Sequence, residues 1–158
     1  MTFLRFVMLL SLVVWIGGLV FFAFVVAPTV FSILPTRHLA GSVVTRSLGA
    51  LHWMGIVSGV VFLASSLICA RLNSGAFHPF ALRNVAIVLM LVLTLISQFG
   101  ISPRMAALRA AMGEIDAVAI NHPARVEFNR LHIRSTRIEG AVLLLGLIAV
   151  YLAARPTP

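Results

Sequence analysis

The stretch Phe128-Asn-Arg-Leu-His-Ile-Arg-Ser-Thr-Arg-Ile-Glu-Gly140 runs without a breaker into an apolar segment that ends near Ala154. At about 100° per residue it splits into two opposed helix faces. Arg130, Arg134 and Arg137 fall at i, i+4, i+7 on one side, and Phe128, His132, Ser135 and Glu139 fall on the other. Continued into the apolar run, the arginine face becomes Ala141, Leu144 and Ile148, and the second face carries Val142, Leu143, Gly146 and Val150. One side suits lipid headgroups and then lipid; the other suits a protein interior. A helix with that division is expected to cross a membrane within a bundle.

The rest of the chain agrees with this reading. Of 158 residues, 61% are hydrophobic and 10% charged, which is not the composition of a soluble globular domain. Crossing a hydrocarbon core of ~30 Å takes about 20 apolar helical residues. Four stretches meet or approach that length: 6–26, 51–70, 81–101 and 138–154. The expected fold is all-α, a single polytopic four-helix membrane bundle. Helices 2, 3 and 4 extend beyond the membrane on one side. The N-terminal run is longer than the apolar core of a typical signal peptide, so it is read as the first span.

A net charge of +8 could point to nucleic acid, but the arginines flank apolar spans instead of forming aromatic-interleaved soluble patches. Positive flanks are what membrane insertion favours. Arg37, Arg46, Arg104, Arg109, Arg125, Arg130, Arg134 and Arg137 share one side, against Arg5, Arg71, Arg83 and Arg155 on the other. That bias places the first and third loops in the cytoplasm and both termini outside. The Arg130/Arg134/Arg137 stripe is expected to contact anionic headgroups.

Along the chain, the first helix should end near Ala27, because Pro28 lacks an N–H and clashes with the preceding turn, and 28–34 should follow as a short turn or half-helix. Pro35-Thr36 offers a new start with Thr36 as N-cap. The second helix then runs to about Leu72. Gly55 and Gly59 form a G-x-x-x-G on it and mark a close-packed face, with His52 on its edge. In the third helix Thr94, Ser97 and Gln98 share a face, and Pro103 is a candidate kink. Asn121-His-Pro123 starts the fourth helix. The single cysteine, Cys69, lies in an apolar run and reads as a small packing residue.

These boundaries put His52, Gln98 and Glu139 at one depth on three helices, with His132 and Ser135 one to two turns further out. Intramembrane ionisable groups face the interior and are paired. The functional reading is a polar vestibule of His52, Gln98, His132, Ser135 and Glu139 that binds a proton, a metal or a small ligand. The structural reading is an interhelical hydrogen-bond clamp, or a Glu139 that reaches out to water. Haem held between His52 and His132 is disfavoured, because their depths differ by ~10 Å at about 1.5 Å per residue. His38, His78 and His122 lie in or near loops, and the six methionines show no clustered copper motif. Nothing resembling a nucleophilic triad can be assembled.

Two motifs carry a family resemblance: Trp15-Ile-Gly17-Gly18 with Phe22 and Pro28-Thr-Val-Phe31, and Arg130-Leu-His132-Ile-Arg-Ser135. In them the chain resembles the transmembrane-protein-205-like family, whose bacterial members are a membrane domain of unknown function. The resemblance implies a four-helix fold in a bacterial inner membrane, with no established activity. Its family-type positions are Trp15, Gly17, Gly18, Pro28, Phe31, His132 and Ser135. The family often has Asn seven residues after the His, where this chain has Glu139. More distantly the layout is similar to copper-resistance-D-type and haem-pathway membrane proteins, which keeps a metal or haem cofactor open. The first functional expectation is a small non-enzymatic accessory or scaffold subunit of a homo-oligomer or larger membrane complex. The second is a carrier or binding protein for a proton, metal or haem-like ligand; an enzyme comes third.

Overall fold

The computed structural model describes residues 2–75 and 79–154, so His78 and Arg155 lie outside the described residues. Among the described residues every regular element is helical. They are α1 (Thr2–Phe21), a π-helical segment Phe22–Val26, α2 (Ala27–Ile33), α3 (Arg37–Ser74) and α4 (Leu82–Leu95). A second π-helical segment Ile96–Ile101, α5 (Ser102–Met112), a 3₁₀ turn Ile115–Ala117 and α6 (Pro123–Ala154) complete the order. End to end they make four continuous rods, Thr2–Ile33, Arg37–Asn73, Leu82–Met112 and Pro123–Ala154, each long and apolar enough to cross a membrane. The chain is a multi-pass membrane protein of four-helix-bundle type. At 1.5 Å per residue each rod measures roughly 45–55 Å, well beyond a ~30 Å hydrocarbon core.

Pro28 does not end the first rod where the sequence suggests. Both prolines inside rods come after a π-helical segment: Phe22–Val26 ends two residues before Pro28, and Ile96–Ile101 ends two residues before Pro103. A proline ring collides with the carbonyl four residues earlier, here Phe24 and Phe99, and offers no N–H to it. Widening the turn to i→i+5 bonding relieves that clash and lets the helix continue. The first rod instead ends where Leu34 turns extended, and the Thr36 hydroxyl caps α3 by accepting from the Leu39 N–H at 3.2 Å. The third rod stops at Gly113, whose φ of 63° is a left-handed conformation open to glycine.

Helix α1 packs chiefly on α3 and α4 on α6, and the α3–α4 and α1–α6 contacts close the ring. The core at its centre joins Leu12, Trp15 and Ile16 of α1, Phe62 of α3, Ile87 and Met90 of α4, and Val142 of α6. In lipid, apolar transfer drives little helix association, so close packing of such groups holds the bundle. Trp15 shows how tight that fit is. A Cβ added at Gly55 would lie 2.4 Å from its Nε1, and one at Gly59 would lie 2.8 Å from its Cζ3 and 2.7 Å from Leu91. The G-x-x-x-G of α3 is thus a notch filled from within the chain by an indole and Leu91. Gly18 lies against Leu51 and Met54, whereas Gly17 faces open space. A second cluster, Ile101, Met105, Ile115, Phe128 and Leu131, closes the end where α5 meets the first turns of α6.

Candidate functional site

His52 lies on α3 with 2% of its surface exposed, and both ring nitrogens are engaged. Its Nδ1–H donates to Gln98 Oε1 at 2.8 Å, because an amide oxygen only accepts. Its Nε2 is 2.8 Å from Glu139 Oε1, and Ser97 Oγ–H donates to that same oxygen at 3.1 Å. One proton therefore sits between Nε2 and Oε1. On the ring it makes an imidazolium–carboxylate pair; on the carboxyl it leaves two neutral groups. Either way the pair is neutral overall, which suits a membrane interior. Losing that proton leaves a net negative charge.

The second π-helical segment supplies both Ser97 and Gln98. The extra residue in its widened turn re-aims side chains relative to α4, and such segments recur at functional sites. It also separates residues that simple periodicity puts together: Ser97 and Gln98 bond into the cluster, while Thr94 Oγ1 is buried without a partner. Ser97 is not among the vestibule residues expected from sequence. Its place on the Thr94/Ser97/Gln98 face is the signal that could have found it.

The other expected vestibule residues stand apart from these bonds. His132 is exposed and stacks on Phe128 with a 6.5 Å centroid separation and a 1° interplanar angle. Ser135 is buried. Both line a cavity of about 810 Å³ beside the His52 cluster, and Glu139 lines it too. Leu19, Phe22, Ala23, Ala27, Pro28 and Phe31 form an apolar wall. Arg37, Thr45, Arg109, Arg125, Asn129 and Thr136 contribute polar groups. Pro28, Phe31, His132 and Ser135, drawn from the two sequence motifs, thus face one space. Trp15 sits in the core, Gly18 lies half-buried against Leu51 and Met54, and Gly17 is turned to open space.

From sequence Arg109 reads as one charge of an amphipathic stretch that either lies on the membrane or packs on a neighbouring helix, and the fold buries it. It is 8% exposed, its Nη1–H donates to Thr45 Oγ1 at 2.8 Å, and its Cζ lies 5.3 Å from the Phe128 ring centroid. Arg130, Arg134 and Arg137 are exposed on the outer face of α6, with Arg130 3.9 Å from Glu127. Arg134 and Arg137 join Arg104, Leu131 and Ile138 around a shallow groove of about 510 Å³.

Among the described residues no three of His, Cys, Asp and Glu converge on a point where a metal could sit. The donor chemistry at His52 fits haem or copper poorly, since both imidazole nitrogens are already bonded and His132 is remote from that cluster's bonds.

No curated protein and no solved structure matches the chain. A family model described as Domain of unknown function (DUF4149) matches residues 10–114, which hold Trp15, Pro28, His52, Ser97, Gln98 and Arg109. His132, Ser135 and Glu139 lie beyond the matched residues. On that match over most of its length, the chain belongs to the DUF4149 family, a domain of unknown function.

Proposed function

We propose that this protein is a small non-enzymatic membrane carrier or binding protein whose His52–Glu139 pair exchanges a proton with the adjoining cavity. The observation that carries the reading is the position of Glu139. One oxygen is bound to His52 and Ser97 inside the bundle, and the same side chain lines the cavity. A proton or ligand arriving in the cavity therefore meets a carboxyl group already coupled to a buried imidazole. The other titratable and charged groups facing that space are His132, Arg37, Arg109 and Arg125.

The accessory or scaffold reading, with a homo-oligomer or larger complex as partner, draws on the Gly55/Gly59 face, on the lack of an assembled catalytic group and on a size small for a self-contained transporter. Trp15 and Leu91 fill that face, so the first of these supports falls away, and the Glu139 geometry favours binding. The arginine distribution would put the cavity at the cytoplasmic end of a bacterial inner-membrane protein, with both termini outside. Likeness to the transmembrane-protein-205-like family belongs to this proposal as well, since its second motif falls outside the family match.

Infrared difference spectra of the full chain in nanodiscs test the proposal. A pH-dependent carboxylic-acid stretch that vanishes in Glu139→Gln is the expected result. No titrating band in the native protein, or one unaltered by Glu139→Gln, would leave only a packing clamp. A titration-silent protein that co-purifies with a large complex would restore the scaffold reading.

A further inference from the structure

We infer that the cavity binds a single-chain amphiphile with an anionic head, the head at Arg109 and the acyl chain along Leu19, Phe22, Ala27 and Phe31. This names a ligand class for the site just described and rests on the reading that the site binds a ligand.

The cavity is divided by chemistry. Helix α1, its π-helical segment and α2 give it an apolar wall, and α3, α5 and α6 give it a polar, net-cationic end. Its volume of about 810 Å³ falls within the ~300–1,000 Å³ typical of small-molecule sites.

Three arginines line the cationic end, and they are not equivalent. Arg37 and Arg125 lie 3.7 and 3.9 Å from the same Asp116 carboxylate oxygen, and Arg125 also donates to the Val118 carbonyl. Arg109 is the most buried of the three, and no carboxylate pairs with it among the described residues. Thr45 takes one N–H and the Phe128 face lies against the guanidinium, while Nε has no partner. Those neutral contacts orient the group without neutralising it.

A buried charge left uncompensated is costly, so a site that keeps one is expected to receive the opposite charge. The guanidinium fork suits a carboxylate or phosphate. Gly41 supplies the room: a Cβ there would lie 3.0 Å from Arg109 Nη2. Glu139, the cavity's own carboxyl, is offset by His52 and does not cancel Arg109.

Native mass spectrometry of the full chain in a neutral maltoside detergent tests this. The probes are oleate, oleoyl lysophosphatidate, oleoyl lysophosphatidylcholine and inorganic phosphate. Oleate and lysophosphatidate are expected to bind one per chain, and the zwitterionic lipid roughly tenfold or more weaker. In Arg109→Gln the preference for anionic heads should disappear. In Ala27→Phe, which shortens the apolar wall, every acyl probe should weaken alike.

Equal binding of all three acyl probes by the native protein overturns the proposal. So does unchanged oleate affinity in a folded Arg109→Gln. Phosphate binding as tight as lysophosphatidate would assign the site to a free anion and overturn the amphiphile. Should Arg109→Gln fail to fold, the head-group comparison in the native protein decides alone. Glu139→Gln separates the two readings. Head-group selectivity without a titrating carboxyl sinks the proton reading only; a titrating carboxyl without selectivity sinks the ligand class only.

Discussion

His52 Nε2 and Glu139 Oε1 meet at 2.8 Å across 87 positions of sequence, and Gln98 closes the opposite ring nitrogen at 2.8 Å. Three helical rods are tied through one imidazole. Removing one partner leaves the other's polar groups buried and unmatched, whereas removing both leaves a void but no orphan charge.

A double-mutant cycle should therefore show strong coupling. Glu139→Ala and His52→Ala are each expected to cost about 3 kcal/mol, and the double variant clearly less than the sum. Glu139→Gln, which keeps a hydrogen-bonding oxygen, should cost less than Glu139→Ala. Reversible unfolding in mixed micelles measures all four. Additive losses would mean that the two groups act independently.

The notch at Gly55 gives a steric test. Gly55→Ala places a methyl 2.4 Å from the Trp15 ring, while Gly17→Ala meets nothing within 4 Å. Overpacking should destabilise the first by about 1–3 kcal/mol. The second should be neutral or gain up to ~1 kcal/mol from better helix propensity. Adding Trp15→Leu to Gly55→Ala should recover part of the loss. Melting monitored by tryptophan emission distinguishes these, with Trp53 as the remaining reporter. Equal melting of both alanine variants would contradict the packing.

Pro103 acts at a distance. Pro103→Ala removes the clash with the Phe99 carbonyl, so the 96–101 segment is free to relax from π to α geometry. Taking one residue out of the widened turn rotates the two flanking helices relative to each other by about 100°. Ser97 and Gln98 should then lose their register with Glu139 and His52. Helix content is expected to stay the same while the His52–Gln98 coupling falls toward zero in a double-mutant cycle. Retained coupling would show that tertiary packing, and not the proline, holds the π turn.

The outer arginines should set lipid preference. Arg104, Arg134 and Arg137 surround one groove on the face away from the cavity. Each contributes up to ~1 kcal/mol near an anionic surface, less at high salt. Arg134→Gln with Arg137→Gln should reduce the anionic-lipid enrichment around the protein several-fold in nanodiscs of mixed phosphatidylglycerol and phosphatidylcholine. Selectivity at Arg109 for a single-chain probe should be untouched. Equal enrichment in native and variant protein would remove the headgroup role.

The helical fold, the number of spans, the start of α3 at Thr36 and of α6 at Pro123 are all legible in the sequence. They depend on local properties: the length of apolar runs, a capping hydroxyl, a proline in a first turn. So is the shared depth of His52, Gln98 and Glu139, since depth comes from counting 1.5 Å steps along straight rods. Rotation about the rod axis is not legible. It depends on two π turns that insert an extra residue where a proline ring meets a carbonyl, and a pattern read at 3.6 residues per turn drifts past them. For that reason Ser97 joins the cluster while Thr94 does not; His132 stays outside it because it stands seven residues, about 10 Å, from Glu139 along the unbroken α6. Nor can spacing reveal that Trp15 fills the Gly55/Gly59 notch or that Thr45, Gly41 and Phe128 hold Arg109. Those contacts join distant helices, and only the packing of side chain against side chain selects them.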